Sequence, residues 1–179
     1  MGQNRGEKSV RVDEIDRLIL TALIEDGRMP YAEIAQRVGV ATATVHERVT
    51  KLRRNGIIEK FSILVNPRLL GYTVTAIVHL RTELAENVEK TVADLRAIPE
   101  VEEIHVVTGE YDLWVKVRAR DTGHLQELLI NHIHRVTGFV RSATEVCLTT
   151  PLERTAPALS SVPLQADEAP PAIISARDD

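Results

Sequence analysis

The chain has 179 residues, a formal net charge of −4, 3% aromatic residues and one cysteine. Its 44% hydrophobic and 27% charged residues are ordinary for a globular protein and do not describe a disordered one. No run approaches the ~18 consecutive apolar residues of a membrane span, the polar N-terminus has no secretory apolar region, and Cys147 alone supplies neither an intrachain disulfide nor a cysteine-rich zinc site.

These features point to a cytoplasmic protein of one domain or two small ones. An acidic total argues against a nucleic-acid partner, but the distribution reverses that reading. Residues 1–60 carry 11 Lys/Arg against 9 Asp/Glu, residues 61–150 carry 9 against 12, and residues 151–179 carry 2 against 5. Within 39–60 the bases Arg48, Lys51, Arg53, Arg54 and Lys60 face only Glu47 and Glu59. Duplex DNA responds to the local field, so a basic segment on an acidic chain suits it.

Residues 1–10 read as a flexible N-terminus. Over 11–60 the spacing predicts three helices. Asp13 caps the first, which places Ile15, Leu18, Ile19, Ala22 and Leu23 on one face. Asp13, Glu14 and Asp16 suit its N-terminal dipole, and Gly27 ends it. Pro30 opens a short second helix burying Ile34, Ala35 and Val38. Gly39 allows a tight turn into a third helix, from Thr42, that buries Val45, Val49 and Leu52 and stops at Gly56. Two helices joined by a short glycine turn, with small Ala35 at the contact, form a helix-turn-helix.

The exposed face of the third helix carries hydroxyls, an imidazole and guanidinium groups. Such groups read base edges and hold phosphates, with the N-terminal residues of a recognition helix reaching the bases. Thr42, Thr44, His46 and Arg48 are therefore assigned to base or groove contacts, and Lys51, Arg53 and Arg54 to phosphates. Glu47 works against this, and Ala41 stands where a capping Ser is expected, which turns Thr42 towards capping. The competing assignment is a solvated helix of a small bundle. Ile57–Val65, rich in β-branched residues, reads as a strand or hairpin, either a wing or a connector (61–73) closed by Asn66-Pro67.

Over 74–150 the pattern is βαββαβ. Val74, Ala76, Val78 and Leu80 alternate as a strand, Asn87–Ile98 reads as a helix ended by Pro99, and Val101–Thr108 and Leu113–Ala119 read as strands joined by Gly109-Glu110-Tyr111-Asp112. Asp121 caps a helix burying Leu125, Leu128, Leu129 and Ile133. Val140–Leu148 is the last strand. The fold class is thus α+β: a winged helix-turn-helix followed by a ferredoxin-like domain whose second sheet face suggests a dimer. His79, His105, His124, His132 and His134 show no metal-ligand spacing. Cys147 and Trp114 read as core or interface residues, and Glu100, Glu102 and Glu103 as a solvated edge. No nucleophile motif, phosphate loop or carboxylate pair marks an enzyme. Residues 151–179, with five of the eight prolines and no glycine or aromatic residue, read as a disordered tail.

Together, Val12–Leu20, Glu25–Arg28, Ala32–Val40, Val45–Leu52, Asn66-Pro67 with Gly71-Tyr72, and Thr108–Asp112 resemble the Lrp/AsnC (feast/famine) family of transcription regulators. The resemblance spans about 11–149. It departs from the family at Ala41, usually Ser, at Thr137-Gly138, often Pro-Gly, and in the added tail. It implies a regulator of promoter DNA without a cofactor, dimeric through its sheet and often octameric. It also implies a small effector, usually an amino acid, bound near Gly109–Asp112. There Gly109 exposes backbone N–H groups to a carboxylate, Asp112 pairs with an ammonium, and Tyr111 forms a wall. The alternative for this loop is a plain hairpin turn with Asp112 bonding local backbone. The alternative for the whole chain is a metabolite-binding oligomer or small enzyme that does not bind specific DNA.

Overall fold

The computed structural model describes residues 12–83, 88–154, 156, 157 and 159. The N-terminal segment 1–10, Asn87 and the whole of the 160–179 stretch therefore lie outside the described residues. Those described fall into two compact units, one helical up to Ile63 and one α+β from Leu64 to Glu153.

The helical unit consists of α1 (Glu14–Glu25), α2 (Tyr31–Val38) and α3 (Thr42–Arg54). Asp13 forms a full capping box with Asp16, satisfying two backbone N–H groups at the start of α1. Pro30 is the residue before α2 rather than its first turn, and Gly39 ends α2 in the left-handed conformation at φ 79°. The helices share one core, in which Ile19, Ile34 and Val45 are fully buried and Ala22, Leu23, Met29, Ala35 and Val49 nearly so. The predicted strand over Ile57–Val65 does not form; residues 57–66 have no helix or strand. A strand needs a partner for its backbone groups, and among the described residues none pairs with it. Phe61, Ile63, Leu64 and Val65 consequently stay exposed.

The second unit follows the expected order: β1 (Val74–Thr82), α4 (Val88–Arg96), β2 (Val101–Val106), β3 (Leu113–Ala119), α5 (Thr122–Asn131) and β4 (Phe139–Val146). The sheet order is β2-β3-β1-β4, antiparallel throughout, with Val78 opposite both Val115 and Thr144. Ala76, Val78, Leu80, Leu113, Val115 and Val117 line one face and are wholly buried with Leu95, Leu128 and Ile133. Asp121 caps α5 through the N–H of His124.

Asp94 of α4 latches the start of β4. Its Oδ2 accepts from the Thr137 N–H at 2.8 Å and from the Thr137 hydroxyl at 2.7 Å. These bonds hold the carboxyl below its usual range. A carboxyl depressed in the folded state stabilises above its unfolded pKa, and that contribution is lost as pH falls through the folded value. Asp94→Asn should therefore lower the unfolding temperature near neutrality, and the deficit should shrink as the pH falls below the ordinary aspartate range. An equal deficit at neutral and acid pH, measured by circular dichroism, would remove the ionic part of this latch.

Candidate functional site

α3 is amphipathic by its spacing. Val45, Val49 and Leu52 are buried, and at 100° per residue the opposite side carries Ala43, Glu47, Thr50, Lys51 and Arg54, all exposed. The residues assigned from the sequence therefore divide. Lys51, Arg53 and Arg54 are exposed in the last turns, where they also complement the C-terminal dipole. Thr42 is exposed at the first position, but it does not cap: Ala41 is the N-cap and no side chain closes that end. Thr44 is half-buried on the flank of the helix. His46 is exposed, with its ring edge-to-face against Tyr31 of α2 at 5.9 Å.

Arg48 departs from expectation. Its Nη1 donates to both carboxylate oxygens of Asp13, at 2.7 and 2.6 Å, and to Asp16 Oδ1 at 2.9 Å. The guanidinium is thus held by the start of α1 instead of standing outward as a groove contact. The physical reason is a buried acid: the Asp16 side chain is only 4% exposed and requires a cation. The same pairing holds the Asp13 carboxyl below its usual range. Thr50, absent from the sequence assignment, lies on the outward side and returns its hydroxyl to the His46 carbonyl at 2.8 Å. A helical wheel centred on Val45 and Val49 is the signal that finds it.

In the α+β unit, Gly109 has φ 128°, a conformation that disfavours any side chain, although a Cβ there would meet open space. Tyr111 lies beside His79 at 5.5 Å, with the Arg141 guanidinium 5.0 Å from its ring centre. Arg141 also pairs with Glu110 at 2.8 Å. Asp112 Oδ2 accepts from the Thr82 N–H at 2.8 Å and from its hydroxyl at 3.3 Å, while Oδ1 lies 3.4 Å from Arg81. The carboxylate thereby ties the β2–β3 hairpin to the end of β1, a partner 30 residues away rather than the local backbone of a plain turn. Gly109, Tyr111 and Asp112 sit together at one end of the sheet. A cavity of about 340 Å³ lies at the other end, lined by Arg68, Thr73, Thr75, Arg118, Cys147 and their neighbours. Among its polar groups, Thr73 bonds the Arg120 carbonyl and Arg118 bonds Thr75.

The sheet face away from the helices presents Ile77, His79, Trp114, Lys116 and Arg118. Trp114 is 47% exposed and packs on the His79 ring at 5.0 Å. His79 Nε2 is buried without a hydrogen bond, with the Glu145 carboxylate 3.6 Å away. Glu102 and Glu103 are exposed on the edge strand β2, and there they pair with Lys116 and Arg118, with Glu153 joining both cations. Glu153 belongs to the predicted tail, whose start is tied to β3 by this charge cluster. Cys147 is half-buried just after β4 rather than packed in the core. His134 stacks on Phe139 and bonds the Ser142 hydroxyl at 2.9 Å. Among the described residues no group of three His, Cys, Asp or Glu could hold a metal, and no helix is long and apolar enough to cross a membrane.

The AsnC-type helix-turn-helix domain model matches residues 12–53, and the Lrp/AsnC ligand binding domain model matches 75–157. The regulatory protein AsnC of Escherichia coli (strain K12) is 36% identical over 144 residues, 80% of this chain and 95% of that one. The chain belongs to the Lrp/AsnC family. An uncharacterized HTH-type transcriptional regulator of Pyrococcus abyssi is 39% identical over 143 residues, 80% of this chain and 89% of that protein. Among solved structures, E. coli AsnC superposes with a TM-score of 0.77 at 35% identity, covering 82% of this chain and 99% of that one. A feast or famine regulatory protein from M. tuberculosis, complexed with L-methionine, gives 0.75 at 28% identity, covering 80% and 97%. As a member of the Lrp/AsnC family, the chain is a DNA-binding transcriptional regulator with a ligand-binding domain.

Proposed function

We propose that α3 lies in the major groove of promoter DNA and that an amino acid bound near Gly109–Asp112 tunes this binding. Thr42, Thr44 and His46, towards the N-terminus of α3, meet base edges, with Thr50 beside them. Lys51, Arg53 and Arg54 meet phosphates. Three exposed bases crowded into the last four residues of α3 carry this reading. Gly109 opens its backbone to a carboxylate, Tyr111 walls the ligand, and Asp112 shapes the loop through Thr82 and Arg81. L-methionine on the M. tuberculosis relative supports an amino acid as the ligand class.

The chain works as a homo-oligomer in the cytoplasm, by binding and not by catalysis. The names of its relatives as regulators favour the non-catalytic role. The half-exposed Trp114 and the unsatisfied His79 Nε2 favour a second copy on the open sheet face. The unit limits proposed here are 11–60 for DNA binding, 61–73 for the linker and 74–153 for the effector and assembly domain.

The test is selection of duplexes from a random library by the full chain, followed by titration with each proteinogenic amino acid. The expected result is a preferred duplex whose affinity falls steeply with salt and shifts with at least one amino acid. Failure to enrich any duplex would overturn the DNA assignment. Enrichment without an amino-acid response would overturn the effector assignment alone.

A further inference from the structure

The helix that carries the DNA-facing side chains is fixed on its long axis by very little. Its N-cap, Ala41, supplies no side-chain bond. Its buried line, Val45, Val49 and Leu52, is entirely aliphatic, and apolar burial is non-directional. Such a line fixes how deeply a helix sits better than it fixes the rotation. Besides the edge-to-face contact of His46 with Tyr31, the directional contact is the charged one at Arg48, one turn after Thr44 on the same flank. Its Nη1 reaches two acids at the start of α1, across 35 and 32 residues of sequence. Asp16 is nearly inaccessible, and both acids are already set by their capping box, so the anchor is rigid.

We infer that the Arg48–Asp13–Asp16 clamp sets the rotation of α3, and that Asp16 and Arg48 are positioning residues for base recognition rather than DNA contacts. Charge-assisted bonds between a guanidinium and carboxylates are short and strongly oriented. Recognition geometry tolerates only about 0.5 Å or 10–20° of misplacement. Releasing the clamp lets Thr44 and His46 drift past that tolerance while the helix itself survives on its apolar contacts. The depressed Asp13 carboxyl and raised Arg48 guanidinium agree with a tight pair.

Asp16→Asn removes a negative charge beside a polyanion, which by charge alone strengthens DNA binding. Through the clamp it weakens binding to the preferred sequence and leaves binding to other sequences alone. The inference rests on α3 being the reading helix. That reading fails separately, if the parent shows no preferred duplex.

The experiment uses the full chain, the duplex enriched from a random library of about 20 base pairs, and the same duplex scrambled. Affinity for both is measured across a salt series for the parent, Asp16→Asn, Arg48→Met and Asp13→Asn. Asn caps helices as well as Asp does, so the last variant keeps the start of α1 while removing one charge of the clamp. It covers the case in which the buried Asp16 variant fails to fold. Ile19→Val serves as a control that lowers the stability of the same core without touching the clamp.

Expected for each clamp variant is a loss of about tenfold on the preferred duplex, an unchanged scrambled-duplex affinity, and an unchanged salt slope. Arg48→Lys restores part of the preference, and Ile19→Val leaves the ratio of the two affinities as in the parent. A salt slope about 1 shallower in Arg48→Met, with equal losses on both duplexes, would make Arg48 a phosphate contact instead. Unchanged or tighter preferred binding by both Asp13→Asn and Asp16→Asn would overturn the clamp outright.

Discussion

With Lys51 and Arg54 both replaced by alanine, the dependence of log affinity on log salt becomes about 2 shallower for each bound copy. Each phosphate contact releases close to one condensed counterion, so the slope counts contacts directly. Both residues are exposed on the outward side of α3, and among the described residues neither side chain has a hydrogen bond or ion pair to give up. The loss should be nearly the same on preferred and scrambled duplexes, because phosphates carry no sequence information. The helical fold should survive, as the loss of each cation from the C-terminal dipole costs about 0.3–1 kcal/mol. A slope equal to the parent's would move the phosphate contacts off this end of the helix.

Asp112→Ala carries the second large effect, and it falls on stability. The substitution strips the acceptor from the backbone N–H of Thr82, a residue only 7% exposed. An unsatisfied buried donor costs about 1–3 kcal/mol, and each kcal/mol lowers the melting temperature of a domain this small by about 4–8 °C. The hairpin carrying Gly109 and Tyr111 loses its tie to β1 at the same time. Asp112→Asn keeps an acceptor and should lie close to the parent. Thermal melts of the two variants check this, and an Asp112→Ala chain as stable as the parent would refute the tie. The Asn variant then separates shape from charge at the ligand. An amino-acid response kept in Asp112→Asn assigns Asp112 to shaping the loop, whereas a response lost in that folded variant places the carboxylate on the ligand's ammonium.

The readable and unreadable parts of the fold divide by sequence distance. The buried line of α3 and the alternation of β1 are local periodicities and emerge at the right residues, whereas in α1 Leu18, expected on the buried face, is 38% exposed, Ile15 is half-buried, and Leu20 is buried instead. Asp13 and Asp121 announce helix starts because a cap bonds within three residues. The pairing of Arg48 is not legible in the sequence, because its partners lie 35 and 32 residues upstream, where no helical spacing shows them. Asp112 likewise acts on Thr82, 30 residues away. Composition misled at both edges of the second unit. The β-rich 57–65 run has no strand to pair with among the described residues, and the proline-rich end contributes Glu153 to a charge cluster on β3. Thr50 was legible in principle, since one turn of the wheel separates it from His46.

The Arg48 clamp also changes what an approaching duplex senses. Counting residues spreads the basic charge of α3 along its length, yet Arg48 is matched at short range by Asp13 and Asp16. What remains uncompensated is Lys51, Arg53 and Arg54, all at the C-terminal end. Three whole charges there outweigh the roughly +0.5 of the dipole at the opposite end. The long-range attraction is therefore eccentric and exerts a torque. On the proposed docking of α3, the phosphate foothold at this end precedes the arrival of Thr42 and Thr44 at the bases, so that capture and reading are separated in order along a single helix.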